Sequence, residues 1–221
     1  MEFLKELRTS FNLTQDELAK KLMLEDGATI AQYETKINPS MKVLIRITEV
    51  FDLSLDFIVN NKSCIYPRNL KLLRLANSFD DSAHSQSRSL VEASIDVFMK
   101  QKPTNELKQD SIDLDLKNDF HSNLKSIRIF KGISQLELAN SLDVGRTAVT
   151  LLENRNFPTL ENLQKLSSHF DISMHALVTG QKLTFQFTDG HFGKTMLLAD
   201  RLLTLEEHKY LIKLMENILA K

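Results

Sequence analysis

The residues best able to do covalent or metal chemistry are spread where they cannot act together. The six histidines, His84, His121, His169, His175, His191 and His208, show no metal-ligand spacing, and Cys64 is the single cysteine. Asp110, Asp113 and Asp115 alternate in a polar run, but no loop glycine or bidentate glutamate accompanies them, so they read as solvated charges. Neither a glycine-rich phosphate loop nor a nucleophile elbow occurs. An enzyme reading therefore has no residues to carry it, and no metal or cofactor is expected. What remains is recognition chemistry, by hydrogen bonds and charge. Its candidates are polar side chains that recur 119 or 120 positions on: Arg8, Gln15 and Glu34 are answered by Arg128, Gln135 and Glu153.

That recurrence belongs to a duplication. Leu4, Leu7, Thr14, Glu17, Leu18, Ala19 and Leu22 repeat 120 positions on as Leu124, Ile127, Ser134, Glu137, Leu138, Ala139 and Leu142. From Glu34 onward the spacing is 119, as Pro39, Leu44, Phe51, Ser54 and Val59 match Pro158, Leu163, Phe170, Ser173 and Val178. One short turn must absorb the difference. In each copy a Ser or Thr stands three residues before a Glu at the head of an apolar-periodic run, the pattern of a capping box that opens a helix. Gly132 precedes that box where the previous helix needs positive φ, and Asn12 fills the same place in the first copy. A tight polar turn, a prolyl loop and a serine-capped last segment complete five short helices in about sixty residues. Helix-turn-helix is the natural architecture for such a unit.

Both segments resemble the Cro/phage-repressor class of helix-turn-helix domains, the XRE family. The pieces that carry the resemblance are LKELR, LTQDELAKKL, IAQYE and NPS in the first copy, and LKSIR, ISQLELANSL, VTLLE and FPT in the second. The resemblance implies two lambda-repressor-like five-helix domains and double-stranded DNA as partner. It implies that Gln15 and Gln135, at the start of the second helix, meet a phosphate where the helix terminus favours an anion. The third helix would enter the major groove with its N-terminal residues toward base edges. In the second copy that surface holds Arg146, Thr147, Thr150 and Leu151, with Asn154 and Arg155 following as phosphate contacts. Its counterparts in the first copy are Gly27, Ala28, Thr29 and Gln32, then Thr35 and Lys36. Arg suits a guanine edge, Gln an adenine edge, and Thr or Ala a thymine methyl. Arg8 with Glu34 and Arg128 with Glu153 are implied as structural ion pairs.

Charge separates the copies. The chain has 28 Lys and Arg against 29 Asp and Glu, a net of −1, which is not the basic footprint of a nonspecific nucleic-acid binder. Residues 1–61 hold seven basic and ten acidic side chains, whereas residues 118–180 hold six of each. Glu25 and Asp26 stand at the mouth of the first recognition helix, where phosphates would approach. The second domain is thus expected to be the stronger DNA reader. The function expected is sequence-specific transcription regulation, repression being the usual outcome in the family. A second reading makes the chain an antitoxin-like or adaptor protein whose acidic first domain binds a protein partner.

The domains expected are residues 1–62 and 119–180, with a helical tail at 63–102, a polar connector at 103–118 and a second tail at 181–221. The tails are related: Leu90, Val91, Ser94, Ile95, Phe98 and Met99 answer Tyr210, Leu211, Leu214, Met215, Ile218 and Leu219. These amphipathic stripes must bury a face, so tail is expected to pack on tail, within one chain as an internal pseudo-dimer or between chains as a homodimer. Alternation at Leu183, Phe185 and Phe187 before Asp189 and Gly190 predicts a short strand, with Ser63 to Tyr66 as its partner. The fold class expected is all-α with at most that strand pair. A charged N-terminal stretch, MEFLKELRTS, and the lack of a spanning apolar run predict a cytoplasmic protein with no membrane association. The lone cysteine suits a reducing compartment.

Overall fold

A computed structural model describes residues 2–60, 66–79, 85–99, 110, 112, 114–183, 185 and 190–220. The first copy folds as α1 (Glu2–Ser10), α2 (Gln15–Lys21), α3 (Gly27–Thr35), α4 (Met41–Phe51) and α5 (Leu55–Asn60). Its tail gives α6 (Leu70–Phe79) and α7 (Ser85–Met99). The second copy repeats the series as α8 (Phe120–Phe130), α9 (Gln135–Leu142), α10 (Arg146–Leu152), α11 (Leu160–Phe170) and α12 (Met174–Thr179), followed by α13 (Gly190–Leu202) and α14 (Leu205–Leu219). The fold is all-α with two helix-turn-helix regions. Among the described residues the single β feature is an isolated antiparallel bridge between Leu53 and Asn69. Most of the expected strand, Thr184 and Gln186 to Asp189, and its partner at Ser63 to Ile65 lie outside the described residues.

Local chemistry sets the helix ends. Both capping boxes form: Thr14 accepts from the Glu17 amide while the Glu17 carboxylate accepts from the Thr14 amide, and Ser134 and Glu137 do the same. Left-handed backbone recurs in register, at Asn12 and Gly132 (φ 53° and 68°), Met23 and Asp143 (54° and 57°), and Asp52 and Asp171 (52° and 57°). The duplication therefore extends to backbone conformation, beyond side-chain pattern. The extra residue of the first copy falls between Met23 and Gly27, in the turn of the helix-turn-helix itself.

The chain divides into two compact units, Met1–Lys108 with Phe185–Lys221, and Gln109–Thr184. In the first unit, both tails pack on each other within the chain. Leu72, Leu73, Ala76 and Phe79 of α6 share one buried cluster with Val91 and Ile95 of α7, Phe192, Met196 and Ala199 of α13, and Leu211 and Met215 of α14. Asp200, fully buried, ties this bundle to the entry of α6 by accepting hydrogen bonds from the amides of Arg68 and Asn69, both at 2.7 Å. The Arg68 guanidinium donates to the Arg201 carbonyl and lies over the Phe57 ring. Backbone bonds from Ser54 to Arg68 and from Leu70 to Asp52 join the same stretch to the end of α4.

The second unit corrects the reading of the aspartate run. Asp110 is buried, and its carboxylate accepts from the Ser173 amide (2.6 Å), the Ser173 hydroxyl (2.9 Å) and the Leu183 amide (2.6 Å). It satisfies the amide and hydroxyl of Ser173 at the head of α12 and the Leu183 amide beyond that helix's end, which is why a buried carboxyl group is tolerated there. Asp115 is exposed and Asp113 lies outside the described residues.

Candidate nucleic-acid interface

In each copy one polar network ties the first, second and third helices. Arg8 Nε donates to Glu34 Oε1 at 2.6 Å, its Nη1 donates to the Leu13 carbonyl at 2.8 Å, and Gln15 Nε2 donates to Glu34 Oε2 at 2.9 Å. The second copy has Arg128 Nε to Glu153 Oε1 at 2.5 Å, Nη1 to Ile133 O at 2.8 Å, and Gln135 Nε2 to Glu153 Oε2 at 2.8 Å. The carboxylates sit beneath their arginines, with 3% and 2% of the glutamate side chains exposed against 12% of each arginine. Burial alone would push the Glu34 carboxyl up. The hydrogen bonds from Arg8 and Gln15 outweigh it and hold the group below the ordinary glutamate value. Both glutamines are half-buried, and each carboxamide is fixed at the head of its helix by the glutamate behind it.

The third helices differ at their entrances. At α10 the N-cap is Gly145, with no side-chain hydrogen bond and open space where a Cβ would stand. Arg146, Thr147, Thr150, Asn154 and Arg155 are exposed, and Leu151 is half-buried. The Thr150 hydroxyl donates to the Arg146 carbonyl at 3.3 Å and lies 3.4 Å from Gln135 Oε1, while Asn154 Nδ2 donates to the Thr150 carbonyl at 2.5 Å. The neighbouring α9 shows Leu136 with 56% of its surface exposed. His121, packed against Phe120 and Phe157, sets Nδ1 2.7 Å from the Leu152 carbonyl and so holds the far end of α10.

At α3 the entrance is closed by carboxylates. Asp26 is the N-cap and accepts from both the amide and the hydroxyl of Thr29, each at 3.0 Å. Those hydrogen bonds keep its carboxyl below the ordinary aspartate value, so it stays ionised. From α2, Asp16 Oδ1 accepts from the Gly27 amide at 3.0 Å. A Cβ on Gly27 would stand 2.4 Å from that oxygen and 3.0 Å from the Asp16 amide, so a side chain there would displace the Asp16 carboxylate from the Gly27 amide. Ala28, Gln32, Thr35 and Lys36 are exposed, and Thr29 is half-buried with its hydroxyl committed to Asp26.

These geometries do different chemistry. The α10 surface offers a guanidinium, hydroxyls and an unblocked helix start, whereas α3 presents Glu25, Asp26 and Asp16 before any phosphate could arrive. Sequence reasoning placed Glu25 and Asp26 at the mouth of α3 but missed Asp16, whose partner is a backbone amide eleven residues on, and missed His121. A D-x-x-T pattern at Asp26 to Thr29 was the local signal for the cap. Among the described residues no cluster of His, Cys, Asp or Glu could hold a metal ion, and no helix is long and apolar enough to cross a membrane.

A family pattern described as helix-turn-helix matches the chain twice, at residues 4–58 and 124–177. The HTH-type transcriptional activator BcrR of Enterococcus faecalis is 32% identical over 66 residues, which cover 29% of this chain and 32% of that protein. An uncharacterized HTH-type transcriptional regulator of Archaeoglobus fulgidus is 36% identical over 55 residues, which cover 25% of this chain and 78% of the archaeal protein. The chain thus spans about a third of the Enterococcus protein and most of the archaeal one. No solved structure matches. With both copies matched and the shared polar network built in each, the chain belongs to the XRE-type helix-turn-helix family of transcription regulators.

Proposed function

We propose that the chain is a sequence-specific, DNA-binding transcriptional regulator whose second domain is the principal reading head. The observation that carries this reading is the contrast between the two third-helix entrances: α10 opens with Arg146 and an uncapped Gly145, whereas Asp26 and Asp16 close α3. Arg146 would read a guanine edge, with Thr147, Thr150 and Leu151 toward neighbouring bases and Gln135, Asn154 and Arg155 toward phosphates. Gln15, Ala28, Thr29, Gln32 and Lys36 would form a weaker head, or one released from DNA. Repression is the mode proposed, since a head in the major groove within a promoter excludes polymerase. In vitro transcription from a selected site should fall on adding the protein. A rise would make it an activator, as the Enterococcus relative is named.

Selection of bound sequences from random DNA, with the natural chain, Arg146→Ala and Gln32→Ala, tests the reading. One enriched motif is expected, lost with Arg146→Ala and kept with Gln32→Ala, because a bidentate base contact supplies about 1–3 kcal/mol of discrimination. Loss of half the motif with each variant would show two equal heads. No enriched motif would overturn the proposal in favour of an adaptor, whose protein partner the acidic α3 entrance would suit. Val91, Ile95, Leu211 and Met215 of the tail stripes are buried within one chain, while Leu90 and Tyr210 stay exposed, which supports an internal pseudo-dimer over a homodimer built from those helices. Light scattering should then return the 25.3 kDa mass of a single chain.

A further inference from the structure

We propose that a cavity in the first unit, between α1 and α4 on one side and α6 and α14 on the other, binds a small organic carboxylate with an apolar body. The cavity is about 410 Å³, within the range of small-ligand sites. Its walls are of two kinds. Phe11 and Phe51, edge to face at 4.8 Å, and Ile212 across from them on α14 are its apolar lining. Lys71, Lys209 and Lys213 supply the opposite character, against one acidic lining residue, Glu216.

The cations are not equivalent. Lys71 is paired with Glu216 at 2.7 Å, and Lys209 sits 4.3 Å over the Phe11 ring while reaching Glu206 at 3.0 Å. Lys213 has no ion-pair partner among the described residues, which leaves its charge available to an incoming anion. A second polar group completes the site. Asn69 is 5% exposed, its Oδ1 accepts from the Leu72 amide, and none of its described hydrogen bonds uses the side-chain amide nitrogen. A carboxamide lining a cationic cavity favours an acceptor, and a carboxylate offers several. The aromatic side favours a ring or a short alkyl chain.

The duplication argues that this is a feature of one copy. The residue that answers Phe11 in the second copy is Lys131, which is exposed, so the second domain keeps Phe170 in the place of Phe51 but not the ring pair. A ligand held here would touch a helix-turn-helix domain and the bundle at once. It would therefore stabilise the first unit as a whole, independently of whether either head binds DNA.

The test uses the full chain with 4-phenylbutyrate and decanoate as probes and 4-phenylbutanamide as the neutral control, followed by calorimetry and thermal melting. Saturable one-to-one binding of at least one acid is expected, with the amide at least about tenfold weaker. At ten times Kd the folded-to-unfolded ratio of the first unit should rise about elevenfold. Lys213→Met, an exposed position whose loss leaves the fold intact by circular dichroism, should weaken the acid at least about fivefold and leave the amide unchanged. Absence of saturable binding by both acids, or equal binding of acid and amide, would overturn the proposal, as would a Lys213→Met variant that binds like the natural chain.

Discussion

Glu153 receives hydrogen bonds from Arg128 and Gln135 and is almost wholly buried, so removing Arg128 strands a charge that Gln135 alone cannot neutralise. Arg128→Ala is expected to destabilise the second unit toward the lower end of the roughly 3–5 kcal/mol typical of a broken buried pair, because the arginine keeps some contact with water. Urea denaturation followed by circular dichroism would read this, and an unchanged midpoint would refute a structural role. The partnership was legible through the family resemblance, which implies an ion pair between the Arg and the Glu that recur in both copies. That Gln15 and Gln135 also join it was not legible, since a helix-start glutamine looks the same whether it faces solvent or a carboxylate. Asp110 went unread for a related reason: its acceptors' partners, Ser173 and Leu183, lie more than sixty residues away.

At the scale of the element, helices were legible wherever their ends are set by neighbours in sequence, as with Thr14 and Glu17 or Ser134 and Glu137. The function of an entrance was less so, because it depends on what α2 or α9 brings to α3 or α10. Gly145→Asp makes the difference testable. The site has the extended backbone of an N-cap (φ −72°, ψ 150°) and open space for a side chain. An aspartate there should cap α10 and raise stability by a few tenths of a kcal/mol, the usual gain over glycine. It would also place a carboxylate where α3 already has one. Affinity for the selected DNA site should then fall several-fold at low salt, with the difference shrinking as salt rises. Unchanged DNA binding by a correctly folded variant would mean that the α10 entrance does not face phosphate.

For the whole molecule, the intrachain packing of the tails was anticipated as one of two arrangements, and only the tertiary structure shows the polar junction that secures it. Asp200 and His208 are both fully buried in that junction, and they respond to acid in opposite directions. Burial raises the Asp200 carboxyl to about 6, against the pull of the Arg68 and Asn69 amides and the Arg68 charge. Burial, helped by the Arg68 charge and opposed by Glu207 and the Ala199 carbonyl, lowers the His208 imidazole to about 3. A raised folded pKa means that Asp200's contribution is fully present below its unfolded value of 3.8 and is lost as pH climbs to about 6. A lowered one means that His208's contribution is fully present above 6.5 and is lost as pH falls toward 3. Between about pH 6 and 4 the two slopes, each near 1.4 kcal/mol per pH unit, oppose each other. The first unit should therefore hold an almost flat stability across that window. It should lose stability steeply below it, where His208 acts alone and carboxylates such as Glu34 lose their partners' support. Asp200→Asn removes one slope. That variant should lose stability continuously from pH 6.5 downward, read as urea midpoints at pH 7, 6, 5 and 4. A variant profile as flat as the natural one between 6 and 4 would show that the two buried groups do not offset each other. The junction would then hold the tails by packing alone.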